Sequence, residues 1–407
     1  VTTNDVLAQD AAEVPTSTES TGRTDVRPDL ATSSVVRPLR ILEVAPRFLP
    51  ELGGVETHTL EISRRLSARG DLDVTVFGSD RSGKLPQQET SEGFDIIRRQ
   101  SWPRHRDYYV SPGLVRVITD GGWDVVHFQS IHTLIPILGM ATARRARIPY
   151  LLTFHTGGNS SPVRSALRGT QWKVLTPLLR SAFRLVAVSR FERALFERYT
   201  GLDDSHFAVI RNGGSLPTPP AGSEMVPGRI VSSGRLEKYK GHHRVIEALP
   251  AIRVSLPEAH LVILGSGPYE PELKALATRL GVADAVTIRH VPGGDREAMA
   301  GELAGAAVFA ALSDYEAHPV AVMEALALGV PVLGFDVAGT ADLVEDGLVV
   351  GVDPGSSAAI VSEQLVGALR RATAERAAPT GLPTWEQSAA ALAELYLQAA
   401  DRSPASR

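Results

Sequence analysis

At 407 residues, 43% of them hydrophobic, the chain is long enough for two cores of ordinary size, because single cores rarely grow beyond roughly 250 residues. Its 42 basic and 46 acidic residues leave a formal charge of −4, which offers no general drive toward nucleic acid or anionic membrane, so an anionic ligand must be held by a local site. The absence of cysteine excludes disulfides, thiolate metal sites, iron–sulfur clusters and a cysteine nucleophile.

Residues 1–36 are dominated by Ser, Thr, Pro, Asp and Glu without a helical or strand period, which predicts a disordered tail. This stretch lacks the basic and then apolar segments of a secretion signal, and no apolar run approaches the roughly 20 residues that span a bilayer, so the chain reads as soluble and cytoplasmic. Val1 points to a raw reading-frame translation, which puts the true start in question.

Structure is predicted to begin at Leu39–Ala45, an apolar run that fits a buried parallel strand, followed by Gly53-Gly54 and a helix from Val55 to Gly70. The runs Asp73–Phe77, Phe94–Ile97, Val125–Phe128, Tyr150–Phe154 and Leu185–Val188 alternate with helical stretches, so residues 37–214 read as one doubly wound α/β domain. Residues 215–228 are rich in Pro and Gly and predict a linker. Arg229–Gly234, His260–Gly265, Ala285–Ile288, Ala307–Leu312 and Pro331–Gly334 then repeat the alternation, predicting a second α/β domain over residues 229–384. A last helix is expected at 385–401, with a short tail at 402–407.

The segment from Ser313 to Val332 reads as a strand end, a tight loop and a helix that stops before Gly329. Pro319 suits the first turn of that helix, and the amides just behind Glu316 offer an anion site for a phosphate. Glu316 and Glu324, with seven residues between them, can take hydrogen bonds from the hydroxyls of a hexose and a ribose; a surface acid and a partly buried helix acid is the plain alternative. Upstream, Arg235 and Lys240 leave the end of a strand where a forked guanidinium and a point-charge ammonium can neutralise a diphosphate, although lone basic residues are more often solvated surface. Gly265-Ser266-Gly267-Pro268-Tyr269-Glu270 lacks the third glycine of a dinucleotide fingerprint and serves better as a loop near a nucleotide than as an NAD site.

Glu316 and Glu324, with Met323-Glu324-Ala325 and Gly329-Val330-Pro331, resemble the paired-glutamate motif of the retaining glycosyltransferase family 4, and Gly234–Gly241 resembles that family's diphosphate segment. Further similarity runs from Pro46 to Tyr396. The resemblance implies a GT-B architecture, two Rossmann-like domains facing each other across a cleft, with residues 385–401 returning to the first domain and Asn212-Gly213 as the hinge. It implies His155, Glu316, Arg235 and Lys240 as catalytic residues, and Gly53, Gly54, Ala317, His318, Pro319, Val320 and Glu324 as further donor contacts. The histidines His127 and His155 both follow strands near the edge where such sheets bind ligands, His155 being the better candidate for touching the transferred sugar; a structural role is the alternative for each. Gly214-Ser215 after the hinge, Asp342 and Ala317 depart from the family pattern and bear on donor identity more than on activity.

The implied reaction transfers a sugar from a UDP- or GDP-sugar to an unidentified acceptor, a small molecule, a glycan or a lipid-linked compound, with retention and without a side-chain nucleophile. Asp71-Leu72-Asp73 leads into a strand and no other Asp-x-Asp pair sits at a strand end, so no metal and no cofactor beyond the donor is expected, Arg235 and Lys240 taking the metal's place. Residues 144–200 carry eleven Arg or Lys against two Glu, and 164–184 interleaves basic and apolar positions. That segment fits either an interfacial helix that touches an anionic membrane or an amphipathic helix packed on the sheet. A GT-B sugar phosphorylase, a sugar-nucleotide epimerase and a non-catalytic nucleotide-sugar-binding protein are the alternatives; no nucleic-acid partner is expected.

Overall fold

In a computed structural model of the chain, residues 37–104, 109–156, 172 and 174–402 are described; the tail expected at 1–36, the basic residues at 164–171 and 173, and 403–407 lie outside them. The described residues from Pro38 onward belong to one unit built on two sheets. The first sheet holds β1 (Leu39–Ala45), β2 (Leu72–Asp80), β3 (Gln88–Ser91), β4 (Phe94–Gln100), β5 (Val125–Gln129), β6 (Tyr150–Thr153), β7 (Arg184–Ala187) and β8 (Phe207–Val209), in the order β3-β4-β2-β1-β5-β6-β7-β8. All neighbours are parallel except the β3–β4 pair. The second holds β9 (Arg229–Ser233), β10 (His260–Leu264), β11 (Val286–Arg289), β12 (Val308–Ala311), β13 (Val332–Phe335) and β14 (Val350–Val352), all parallel, in the order β11-β10-β9-β12-β13-β14.

Helices α1 to α4 (Gly54–Ser67, Gly113–Asp120, Leu134–Ala146 and Arg190–Thr200) connect strands of the first sheet, α5 to α9 (His242–Ser255, Glu270–Arg279, Arg296–Ala304, Val320–Ala327 and Ala338–Glu345) those of the second, and α10 (Ala358–Arg371) follows β14. Strand β5 shows why the sheets are covered on both faces: all five of its residues are buried, as a parallel strand between two helical layers requires. The predicted helix from Val55 to Gly70 runs instead from Gly54 to Ser67, because Gly70 takes a left-handed φ of 79° that ends it. Helix α11 (Trp385–Asp401) begins with a capping box between Thr384 and Gln387 and buries Trp385, Leu392 and Tyr396 among Ile41, Ile62 and Val125 of the first sheet and α1.

Within the described part of the basic segment, Trp172 stands edge-on to Phe196 with ring centroids 4.8 Å apart, and Leu175 and Leu179 join the same core beside Phe154. Among the described residues, no helix is long and apolar enough to cross a membrane.

Candidate functional site

The carboxyl ends of the central strands of both sheets open into one cleft of about 540 Å³, lined by Gly53 to Thr57 after β1, by His155 after β6, and by residues that follow β9, β10 and β12. Open α/β sheets bind ligands at this edge, where helix N-termini and loop amides converge.

On the second sheet, β9 gives way to the turn Lys238–Lys240 and then to Gly241, whose φ is 74°. A Cβ at Gly241 would lie 1.8 Å from the carbonyl oxygen of Leu312, so glycine alone lets this segment lie against the end of β12. That approach puts Lys240 Nζ 2.7 Å from Glu316 Oε1, which also accepts from Ser313 Oγ at 2.9 Å. Burial pushes the Lys240 ammonium down, but the Glu316 carboxylate beside it outweighs this and holds it above its ordinary value, so it stays charged. Arg235 is more exposed and donates to Glu237 at 2.9 Å, on the rim of the same cleft.

The loop from Glu316 leads into α8, and here the structure corrects one expectation. Pro319 is the N-cap, extended at φ −73° and ψ 112°, and the helix starts at Val320. The first amides of α8 still lack intrahelical acceptors and open on the cleft wall formed by Ala317, His318, Pro319 and Val320. His318 is buried, neither ring nitrogen has a partner among the described residues, and burial followed by the nearby Arg211 pushes its pKa down to about 3, so the ring is neutral.

Glu324 projects from the second turn of α8 into the cleft and is 5% exposed. Burial pushes its carboxyl up, and Arg296, the first residue of α7, hydrogen-bonds to Oε1 and pulls it back. Sequence reasoning missed Arg296. The available signal was a basic residue opening a helix after the Pro292-Gly293-Gly294-Asp295 loop at a strand's carboxyl end.

The first sheet contributes mainly backbone and neutral groups. Gly53 caps α1 in an extended conformation, and a Cβ on Gly54 would stand 3.9 Å from Val320 Cγ2, so the glycine loop faces the start of α8 across the cleft. His155 lines the cleft with a left-handed φ of 49°, uncommon for a non-glycine residue and a mark of a backbone held by its surroundings. Its Nε2 donates to Gln129 Oε1 at 2.8 Å, and Gln129 Nε2 donates to Glu43 Oε2 at 2.7 Å, which fixes the proton on Nε2. Burial, reinforced by His58, His127 and His132, holds the His155 pKa well below its ordinary value, so the ring is neutral.

His127 does not share this position. It lies inside β5, fully buried, bonded to Tyr396 Oη at 2.6 Å and Thr153 Oγ1 at 2.8 Å, with Glu43 at 3.3 Å, and it does not line the cleft. Asn212 bridges the two sides: its Oδ1 accepts from His58 Nδ1 and its Nδ2 donates to the carbonyl of His318, both at 2.9 Å. Asp342 also crosses, its Oδ2 accepting the backbone N–H of Arg190 at the start of α4 at 2.5 Å.

A fixed ammonium, an exposed guanidinium, a helix N-terminus and two carboxylates with cationic partners form a surface that can hold a diphosphate and hydroxyl-bearing rings. Comparison with known proteins agrees. Residues 52–215 match the model described as Glycosyltransferase Family 4, and residues 222–369 match Glycosyl transferases group 1. The chain is 29% identical to a D-inositol 3-phosphate glycosyltransferase of Xylanimonas cellulosilytica, over 87% of this chain and 94% of the relative. It is 26% identical to a GDP-mannose:cellobiosyl-diphosphopolyprenol alpha-mannosyltransferase of Komagataeibacter xylinus, over 90% and 94%. In fold it is similar to a sucrose-phosphate synthase from Thermosynechococcus elongatus, with a TM-score of 0.70 at 20% identity over 88% of this chain and 98% of that one. The chain belongs to the group 1, family 4 glycosyltransferases, with two α/β domains in the GT-B arrangement and a nucleotide-linked sugar as donor.

Proposed function

We propose that the chain is a retaining, metal-independent transferase that takes a sugar from a UDP- or GDP-sugar, binding the donor on its second sheet and the acceptor against its first. The observation that carries this reading is the Lys240–Glu316 pair of 2.7 Å at the start of the loop into α8, with Arg235 on the rim and Glu324 one turn deeper. Arg235, Lys240 and the first amides of α8 neutralise the diphosphate as the glycosidic bond breaks, which electrostatic groups fixed in advance do without reorganisation. Glu324 takes the ribose hydroxyls and Glu316 those of the sugar. The acceptor hydroxyl attacks the face from which the diphosphate leaves, its proton passes to the leaving phosphate oxygen, and no enzyme nucleophile is consumed. His155, neutral and with its proton on Nε2 committed to Gln129, serves as a contact for the sugar or acceptor and not as a charge.

The acceptor carries a hydroxyl and, by similarity, a phosphate. Two relatives are named for inositol 3-phosphate and for a diphosphopolyprenol, and Arg47, on the cleft wall beside Glu56 at 3.3 Å, suits such a group. The enzyme works in the cytoplasm, meeting lipid-linked acceptors at the membrane face if it uses them.

Thermal shift against UDP-, GDP-, ADP- and dTDP-sugars, with and without EDTA, tests the donor assignment, since a ligand that binds only the folded state raises its melting temperature. Stabilisation by one nucleotide class, unaffected by EDTA and lost in Glu324→Ala and Arg235→Ala, is the expected result. No shift at millimolar concentration with any of them overturns it and favours a phosphorylase or a scaffold.

A further inference from the structure

Glu192, in the first turn of α4, is fully buried, and the reaction above does not use it. Its Oε1 accepts the hydroxyl of Thr156 at 2.5 Å and the backbone N–H of Thr156 at 2.7 Å, and its Oε2 accepts the N–H of Val188 at 2.9 Å. A carboxylate out of water is costly unless its lone pairs are filled, and here two backbone donors and one hydroxyl fill them. Because the Thr156 hydroxyl spends its proton on Glu192, its oxygen is left as an acceptor, and Tyr315 Oη donates to it at 2.9 Å. The result is a directed chain, tyrosine to threonine to Glu192, whose carboxyl is pushed up by burial and pulled back by the bonds it accepts from Thr156 and Val188.

The place of this chain in the sequence gives it meaning. Thr156 directly follows His155 on the first sheet, and Tyr315 directly precedes Glu316 on the second. The ring of Tyr315 also rests edge-on against Phe191 of α4, with centroids 5.7 Å apart at 73°. One hydrogen bond therefore joins the two peptide segments that carry the candidate sugar contacts from opposite sides of the cleft, and one ring contact ties Tyr315 to α4 beside them.

We propose that Tyr315 and Thr156, anchored by the Glu192 carboxylate, are positioning residues that latch the closed cleft and set the reach between the His155 segment and the Glu316 segment. The kinetic consequence rests on the donor assignment above; the latch itself does not. Arg235, Lys240 and Glu324 all belong to the second sheet, so donor affinity does not need the latch, whereas transfer needs both walls in place. Loss of one neutral hydrogen bond across the cleft lowers turnover roughly three- to tenfold and leaves donor KM unchanged.

The chain has no cysteine, so Thr119→Cys on α2 and Glu363→Cys on α10, both exposed, give a uniquely labelled pair across the two sheets. Distance distributions by resonance energy transfer are recorded without nucleotide and with UDP or GDP. The expected result is a longer-distance population in Tyr315→Phe and Thr156→Val, retention of the short distance in Thr156→Ser, and a Tyr315→Phe/Thr156→Val double variant no more open than either single one. Turnover of UDP-glucose or GDP-mannose, with water as acceptor where no other is supplied, falls with donor KM preserved. An unchanged distribution in Tyr315→Phe overturns the proposal, as does Thr156→Ser opening like Thr156→Val, or an additive double variant. If neither UDP nor GDP binds the parent chain, the donor assignment fails on its own, and the nucleotide-free distances still judge the latch.

Discussion

Replacing Arg296 by Met removes the cation that faces Glu324 while keeping most of the side-chain volume. Glu324 is buried, and burial already lifts its carboxyl despite the pull of Arg296; without that pull the lift grows. A protonated Glu324 is a poorer acceptor for ribose hydroxyls. A hydrogen bond to a charged group contributes about 1.5–3 kcal/mol, so its loss weakens nucleotide binding roughly 10- to 100-fold near pH 7. The two pH dependences then run in opposite directions. Raising pH restores the carboxylate, so the variant's affinity climbs toward that of the parent. Stability does the reverse: the folded pKa lies above the unfolded one, the folded state holds the extra proton, and the stability this contributes is full below the unfolded value and lost as pH rises through the folded value. The variant's melting temperature therefore declines with rising pH over a wider window than the parent's. Titration calorimetry with UDP and GDP between pH 7 and 9, expressed as the ratio of variant to parent, cancels the ionisation of the nucleotide itself. A ratio that is constant with pH, or equal to one throughout, refutes the assignment of Glu324 as an ionised ribose acceptor kept charged by Arg296.

Gly241→Ala places a Cβ on a left-handed residue 1.8 Å from the Leu312 carbonyl oxygen just after β12, and the cost is expected to exceed about 2 kcal/mol, read as a lower urea midpoint at unchanged slope. His155, held neutral by burial and by the histidines around it, gives no inflection in kcat between pH 6 and 8; an inflection there that disappears in His155→Ala contradicts the neutral role.

The parallel strands were legible because buried apolar runs such as Leu39–Ala45 and His260–Leu264 carry their own signal. The strands absent from the sequence reading are of another kind. β3 is Gln-Glu-Thr-Ser and owes its place to antiparallel pairing with β4, while β8 and β14 are three residues each at a sheet edge, too short to show a period. The same division runs through the site. Glu316 and Glu324 share one short segment, and Lys240 reaches Glu316 across a sequence gap of 76 that a motif could bridge. Arg296 on Glu324, Asn212 between His58 and His318, and Tyr315 on Thr156 are joined by sequence separations of 28, 154, 106 and 159 residues, which topology alone brings to zero. His127 shows the converse: its position near a strand end was readable, but the Glu43 and Tyr396 side chains that claim it were not.

The distribution of charge between the two walls has a consequence for the order of events under the proposed function. The cations proposed to hold the diphosphate, Arg235 and Lys240, stand on the side of the second sheet, and the first sheet faces them with Gly53, Gly54, a neutral His155 and the Arg47–Glu56 pair. A donor can therefore dock fully on one wall while the cleft is open. What the first wall adds on closing is a shaped surface whose Arg47 is paired with Glu56 at 3.3 Å, so the diphosphate's charge stays directed at Lys240 and the helix end. The joints that close the cleft are correspondingly polar: Asn212 between His58 and the His318 carbonyl, Asp342 on the first amides of α4, and Tyr315 on Thr156. Each is worth little alone against the free energy of a conformational equilibrium of a few kcal/mol, yet together they are of the right size to bias it without freezing it. A cleft held instead by buried apolar area would have to break that area in every turnover to release the nucleotide.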